Sequence, residues 1–168
     1  AERARMSLFS TLKFVLSHPL NRGRRISTLS RVVRWQFGSR MLQGAVAVPF
    51  VNELQLLVEH GMSGATGNVY CGLHEFEEMA LVLHCLRPGD VLFDVGANVG
   101  SYALLGAATG AAVLAFEPVP SSFRLLRRNV LANDLASQVH CFQVALGAEK
   151  GEARITVSHD TTNHILGA

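Results

Sequence analysis

The sequence predicts an α/β protein built on a doubly wound parallel sheet, and three observations predict it. First, Val91-Leu-Phe-Asp94 is an apolar-biased run ending on a carboxylate, followed by a turn punctuated by Gly96 and Gly100 and then by a helical pattern. This is the strand, tight loop and helix start at which such sheets present a ligand site. Second, Ala112 to Phe116 is a short apolar run that is again followed by a carboxylate, Glu117. Third, a helical segment and a further extended run, Val139 to Ala145, continue the alternation β-α-β-α-β, the order of a parallel sheet with right-handed crossovers. Ligands of these sheets lie outside the carboxyl ends of neighbouring strands, so Asp94 and Glu117 are expected to line one crevice.

The chain of 168 residues is long enough to bury a core, and its 49% hydrophobic and 17% charged content is that of a folded domain rather than a disordered one. The net charge is only +2, but it is unevenly distributed. Residues 1–40 carry nine Lys/Arg against the single acid Glu2, which leaves six basic and twelve acidic residues in the remainder. Such a leader suits nucleic acid, an anionic membrane surface or an acidic polymer. With little aromatic interleaving it reads first as a solvated helical extension, and nucleic-acid binding is not expected. Cys71, Cys85 and Cys141 are odd in number, widely spaced and without a C-x-x-C pair, so they read as reduced thiols of a cytoplasmic protein with no metal site. No secretory signal is expected, and the longest apolar tract, Ala103 to Phe116, is too short and too interrupted for a transmembrane segment.

Taken in order, residues 1–43 are expected to form the basic helical leader and residues 44–168 the domain proper. Leu8, Phe9, Leu12, Val15 and Leu16 fall at helical spacing, and His18-Pro19 to Gly23 breaks that helix. A second helix is expected over Ile26–Leu42, basic on one face, with Leu29, Val32, Val33 and Phe37 free to pack and Trp35 as a packing residue. Residues 44–72 should form a hairpin and a loop. Ala45–Val51 and Leu54–Val58 read as strands around Asn52-Glu53, with Pro49 at an edge. Gly61 to Gly67 reads as loop. The α/β core follows over 73–168. A helix begins near Gly72, with Glu75, Glu77 and Glu78 in its first turn and Phe76, Met79, Ala80 and Leu83 on its buried face. Gly110 closes the helix after Gly100, Ser121 or Ser122 caps the next, and Asn133-Asp134 ends it. A fourth extended run spans Glu152 to Val157.

The central loop reads D-x-G-x-N-x-G, from Asp94 to Gly100. A dinucleotide fingerprint needs glycines where this chain has Asn98 and Ser101, and no Walker lysine is present, so a phosphate cradle is disfavoured. A phosphate-free ligand with an aminoacyl arm and a ribose fits better. The Asp94–Gly96 carbonyls and the Asp94 charge suit an ammonium, amides near Asn98 to Ser101 suit a carboxylate, and Glu117 suits a ribose diol. Phe116 and Pro118 offer apolar walls to an adenine.

Asp94-Val-Gly-Ala-Asn-Val-Gly100, Phe116-Glu-Pro118, Asn129 with Asn133, and Val144-Ala-Leu-Gly147 together resemble the FkbM-type class I methyltransferases. The resemblance covers roughly Leu73 to Gly151 and implies the following. The fold is a Rossmann-like class I methyltransferase sheet, incomplete at the C-terminus. The cofactor is S-adenosylmethionine, bound by Asp94, Val95, Gly96, Ala97, Asn98, Gly100, Phe116, Glu117 and Pro118. The reaction is methylation of a hydroxyl on a sugar, polysaccharide or secondary metabolite, so the partner is a small-molecule or glycan acceptor. In that superfamily an acidic or amide residue after the third strand often reads the adenine amino group; here Val144-Ala145-Leu146 leave that contact to backbone. The acidic motif of the fourth core strand has no counterpart before Ala168, which suggests an N-terminal cofactor-binding part. Two other readings stay open: a non-catalytic cofactor-binding remnant and a nicotinamide-binding oxidoreductase.

The remaining polar residues carry weaker expectations. Glu75 reads as a helix-dipole partner that sits where an upstream helix folds over the cofactor. Asn98 either caps its helix or shapes and contacts the site, and Asn129 and Asn133 read as satisfying backbone near the end of their helix. His159-Asp160 and Asn163-His164 read as a polar tail that is also a candidate place for a base. No catalytic residue is assigned.

Overall fold

The computed structural model describes residues 8–42, 44–149, 151, 154–155 and 165–166. Helix α1 (Leu8–Ser17) runs into a 3-10 turn at Pro19–Asn21, whose His18 accepts from the Leu20 amide, and helix α2 (Arg25–Met41) follows. Strands β1 (Val46–Pro49) and β2 (Gln55–Val58) form the expected antiparallel hairpin, in register Val46↔Val58 to Pro49↔Gln55. Asn52 and Glu53 at its tip both adopt left-handed backbone, the conformation that matches the twist of a tight hairpin.

The stretch read as a glycine loop from Gly61 to Gly67 is instead largely helical, as α3 (Ser63–Cys71). Its glycines cost helix propensity, about 1 kcal/mol each. Packing overrides that cost: Ala65, Tyr70 and Cys71 enter the core, and the His74 ring lies so close over Gly67 that no side chain would fit there. Helix α4 spans Phe76–Cys85, later than the expected start near Gly72, because Gly72 sits at positive φ as the C-cap of α3. Glu77 and Glu78 occupy the first turn of α4, and Glu75 is its N-cap residue.

The core sheet is made of β3 (Val91–Val95), β4 (Ala112–Phe116) and β5 (Val139–Phe142), all parallel and in the order β3-β4-β5, with α5 (Ser101–Ala108) and α6 (Pro120–Ala132) as the crossovers. Helix α6 starts without a side-chain cap from Ser121 or Ser122. Pro120 occupies its first turn after the N-cap Val119, where a missing amide is harmless and the fixed φ is already helical. One sheet face, with Val113, Ala115 and Val139, packs against Ala103, Ala107, Leu126 and Val130 of the two helices. Of the fourth extended run, Arg154–Ile155 (β6) pairs antiparallel with Ile165–Leu166 (β7). The rest of that run, and the His159-Asp160 and Asn163-His164 cluster, lie outside the described residues.

Residues of the leader share a core with the domain. Val15, Val32 and Trp35 cluster with Leu56, Val58, Leu104 and Leu125. Trp35 is buried as expected, but Leu29, Val33 and Phe37 are exposed, because α2 has apolar residues on two sides and only one faces the body of the protein. Asn129 and Asn133 reach further than the end of their own helix. The Leu57 amide donates to Asn129 Oδ1 (2.6 Å), Asn129 Nδ2 donates to the Val99 carbonyl (2.8 Å), the Gln55 amide donates to Asn133 Oδ1 (2.7 Å), and Asn133 Nδ2 returns a bond to the Gln55 carbonyl (2.8 Å). One turn apart on α6, the two asparagines stand in for a neighbouring strand along β2.

Candidate functional site

Parallel pairing places Asp94 opposite Ala115 and Val95 opposite Phe116, so Glu117 emerges just beyond the same end of the sheet. The loop after β3 hangs on one acceptor: the Gly96 and Ala97 amides both donate to the Phe116 carbonyl, at 2.9 and 3.0 Å. Gly96, Asn98 and Gly100 all have positive φ. Asn98 is among the residues that tolerate this conformation, and here it turns its amide toward Glu117. Gly100 is the N-cap of α5, and a Cβ there would meet Leu126 Cδ1 at 2.6 Å, so both conformation and space require glycine. Ala97 and Val99 are buried in the core, and the Gly100 amide donates to the Ala97 carbonyl at 2.7 Å.

Glu117 is only 5% exposed and ties the two strand ends together. Its Oε2 accepts from the Asn98 amide (2.8 Å) and its Oε1 from the Val119 amide (2.8 Å). Each oxygen keeps a further lone pair. Asp94 lies close enough to feel the Glu117 charge. Burial pushes its carboxyl up to about 6, the Ala103 amide opposes the shift by hydrogen bonding, and Glu117 reinforces it. Asp94 Oδ2 is buried and has no hydrogen-bond partner among the described residues. A buried acceptor left unmade is costly, so this atom marks where a donor is wanted.

Strand alternation turns the Phe116 ring to the opposite face from Ala115. There it stacks between Phe93 (6.3 Å between centroids) and Phe142 (5.1 Å). Phe116 thus presents its ring to Phe93 and Phe142 and its carbonyl to the Gly96 and Ala97 amides. Pro118 is half-buried beside Glu117, and Val95 is exposed at the tip of β3. Asn98 does not cap α5 with its side chain; it shapes the loop.

Two residues at the site escaped sequence reasoning. Tyr102, in the first turn of α5, donates from its hydroxyl to Glu75 Oε2 at 2.7 Å, so Glu75 spends its carboxylate on α5 rather than on capping α4. Burial, then the Glu75 hydrogen bond, and then the charges of Glu75, Glu78 and Asp94 raise the Tyr102 phenol well above its usual value. Asn68, buried in α3, donates to Ser101 Oγ (3.1 Å) and accepts from the His74 amide (2.8 Å), which clamps α3 to the start of α5. The helical spacing of α4 and α5 was a signal for the first contact. Nothing in a segment read as loop pointed to the second.

A three-stranded parallel sheet with helical crossovers, D-x-G-x-N-x-G after its first strand and a buried glutamate after its second is an incomplete Rossmann-like α/β fold. Solved structures agree on the fold. A putative transferase from Pyrococcus horikoshii and P. horikoshii TYW2 in complex with MeSAdo each match with a TM-score of 0.51 and 18% identity, covering 62% of this chain and 37% of theirs. In sequence the chain is similar to the 31-O-demethyl-FK506 methyltransferase FkbM of Streptomyces tacrolimicus, 44% identical over 79 residues, which are 46% of this chain and 30% of that protein. It is also similar to a tRNA (guanine(37)-N(1))-methyltransferase of Aedes aegypti, 35% identical over 74 residues, 44% of this chain and 13% of that protein. The match thus spans less than a third of the length of either curated relative. No protein-family model matches the chain.

Proposed function

We propose that the crevice between the ends of β3 and β4 binds S-adenosylmethionine, as part of a methyltransferase that acts on a hydroxyl of a sugar, polysaccharide or secondary metabolite. The observation that carries this reading is the orphaned Asp94 Oδ2, a buried acceptor beside the loop that Glu117 holds. An ammonium donor supplies what that oxygen lacks, and it favours the charged carboxylate that burial alone opposes. Asp94 takes this role with the Val95 and Gly96 backbone, while Ala97, Asn98 and Gly100 set the loop for the aminoacyl carboxylate. The spare lone pairs of Glu117 accept from the ribose hydroxyls, and Pro118 edges the adenine. Phe116 serves through the carbonyl that suspends Gly96 and Ala97. The bound group supplies a methyl carbon on a sulfonium, an excellent leaving group, so the chain's own task is binding and alignment. The similarity to an enzyme named as an O-demethyl-FK506 methyltransferase supports an oxygen acceptor.

Titration calorimetry of the chain with S-adenosylhomocysteine and with NAD tests the reading. The adenosyl ligand should bind and NAD should not, and Glu117→Ala should weaken binding by about 1–3 kcal/mol, the scale of lost hydrogen bonds to a charged group. Binding of NAD alone overturns the cofactor assignment. An unchanged affinity in the variant, with circular dichroism showing an intact fold, removes Glu117 from the site.

A further inference from the structure

Helix α2 carries two apolar rows on opposite sides. Val32 and Trp35, with Thr28 and Ser39, make the buried one. Ile26, Leu29, Val33, Phe37 and Met41 repeat at intervals of three and four residues on the other side, and all are exposed: Ile26 to 87%, Phe37 to 68% and Met41 to 83%. Single exposed apolar residues need no explanation, but five in one row form a contiguous patch of the kind that marks an interaction site.

The charge around that row identifies its partner. From residue 8 to residue 52 the chain holds seven Lys/Arg and no Asp or Glu. By helical periodicity Arg25 and Arg40 border the row on one side. On the other side Arg24, Arg31 and Arg34, with Ser27 and Ser30, line a hollow of about 490 Å³. Arg31 is held there by a 2.8 Å bond to Asn21 Oδ1, so the hollow has a fixed floor.

We infer that α2 docks in the plane of an anionic membrane surface, with the Ile26–Met41 row among the upper acyl chains and the arginine hollow around a lipid phosphate. An apolar row flanked by arginines is the pattern of an interfacial helix. Among the described residues no helix is long and apolar enough to cross a membrane, which fits a helix that lies along the surface. A second copy of this chain would bring the same arginines face to face, and like charges across an interface repel. A nucleic acid would satisfy the arginines but set the apolar row against phosphates.

The test is sedimentation of the 168-residue chain with vesicles of phosphatidylcholine alone and of phosphatidylcholine with phosphatidylglycerol. Binding should require the anionic lipid and weaken with salt. Phe37→Asp with Met41→Asp should reduce it roughly tenfold or more, and Arg24→Glu with Arg34→Glu should abolish the preference for phosphatidylglycerol. Both pairs are exposed, so unchanged circular dichroism and melting are expected. No preference for the anionic vesicles overturns the inference, as does a Phe37/Met41 variant that partitions like the parent. A chain that leaves vesicles in the supernatant but binds a single-stranded oligonucleotide, or that dimerises through this row by light scattering, also overturns it.

Discussion

With its carboxyl pushed up to about 6 by burial and its Oδ2 left without a partner, Asp94 is charged at neutral pH in a place that resists the charge. Its folded value lies above the 3.8 of a free aspartate, so the folded state binds more protons than the unfolded state between those two values. The resulting stability is fully present below about pH 4 and is lost as pH rises through about 6. Asp94→Asn removes this dependence. At pH 7.5 the variant should be more stable than the parent by about 3 kcal/mol, and the gap should shrink as pH falls toward 4. Urea melts across that range check it, and a gap independent of pH would contradict it. The same variant should lose affinity for the adenosyl ligand, because the group that costs stability is the one proposed to meet the ammonium. That Asp94 and Glu117 share one end of a sheet was legible in the sequence, since two apolar runs each lead to a carboxylate. That Glu117 anchors the Asn98 and Val119 amides was not, because those bonds depend on the positive φ of Asn98 and on where α6 begins.

Among the elements, α6 does two tasks with one helix. Its apolar side covers the sheet through Leu126 and Val130, and its Asn129 and Asn133 side chains bond β2. Asn129→Ala would leave the Leu57 amide and the Val99 carbonyl without these bonds in a buried setting, and should cost about 2–3 kcal/mol. Asn133→Ala, at a more exposed position, should cost about 1 kcal/mol. Thermal melts of the two variants check the order, and equal losses would show that β2 does not depend on burial of the Asn129 bonds. The helical period of α6 was visible in the sequence. Its partner strand was not, because the bonded residues lie more than seventy positions apart. Helix α3 was hidden for another reason: its glycines deny it local propensity, and tertiary contacts hold it, the packing of Tyr70, Cys71 and the His74 ring together with the Asn68 hydrogen bonds.

Across the whole molecule, the parallel sheet is covered on one face only among the described residues. On the other face Val91, Phe93, Val95 and Phe142 are all exposed, Phe93 to 61%. Parallel sheets are normally buried on both faces, and an apolar patch of this kind promotes association. Phe93→Ser with Phe142→Ser should lower concentration-dependent light scattering and dye binding of the chain. Because it removes only the stacking around Phe116, it should cost no more than about 1–2 kcal/mol in a denaturant melt. Scattering unchanged by the pair would show that this face does not drive association.

By itself the sequence determined the β-α-β-α-β alternation, the hairpin about Asn52-Glu53 and the convergence of Asp94 and Glu117, because each is written in local periodicity or in residues that end a strand. Only the tertiary structure decided that α3 is a helix, that Asn68 clamps it to Ser101, that the Phe116 ring stacks on Phe142, and which of two apolar rows on α2 is buried. Each of those outcomes is settled by contact between segments distant along the chain, and the free energy of such contacts has no signature in the spacing of neighbouring residues.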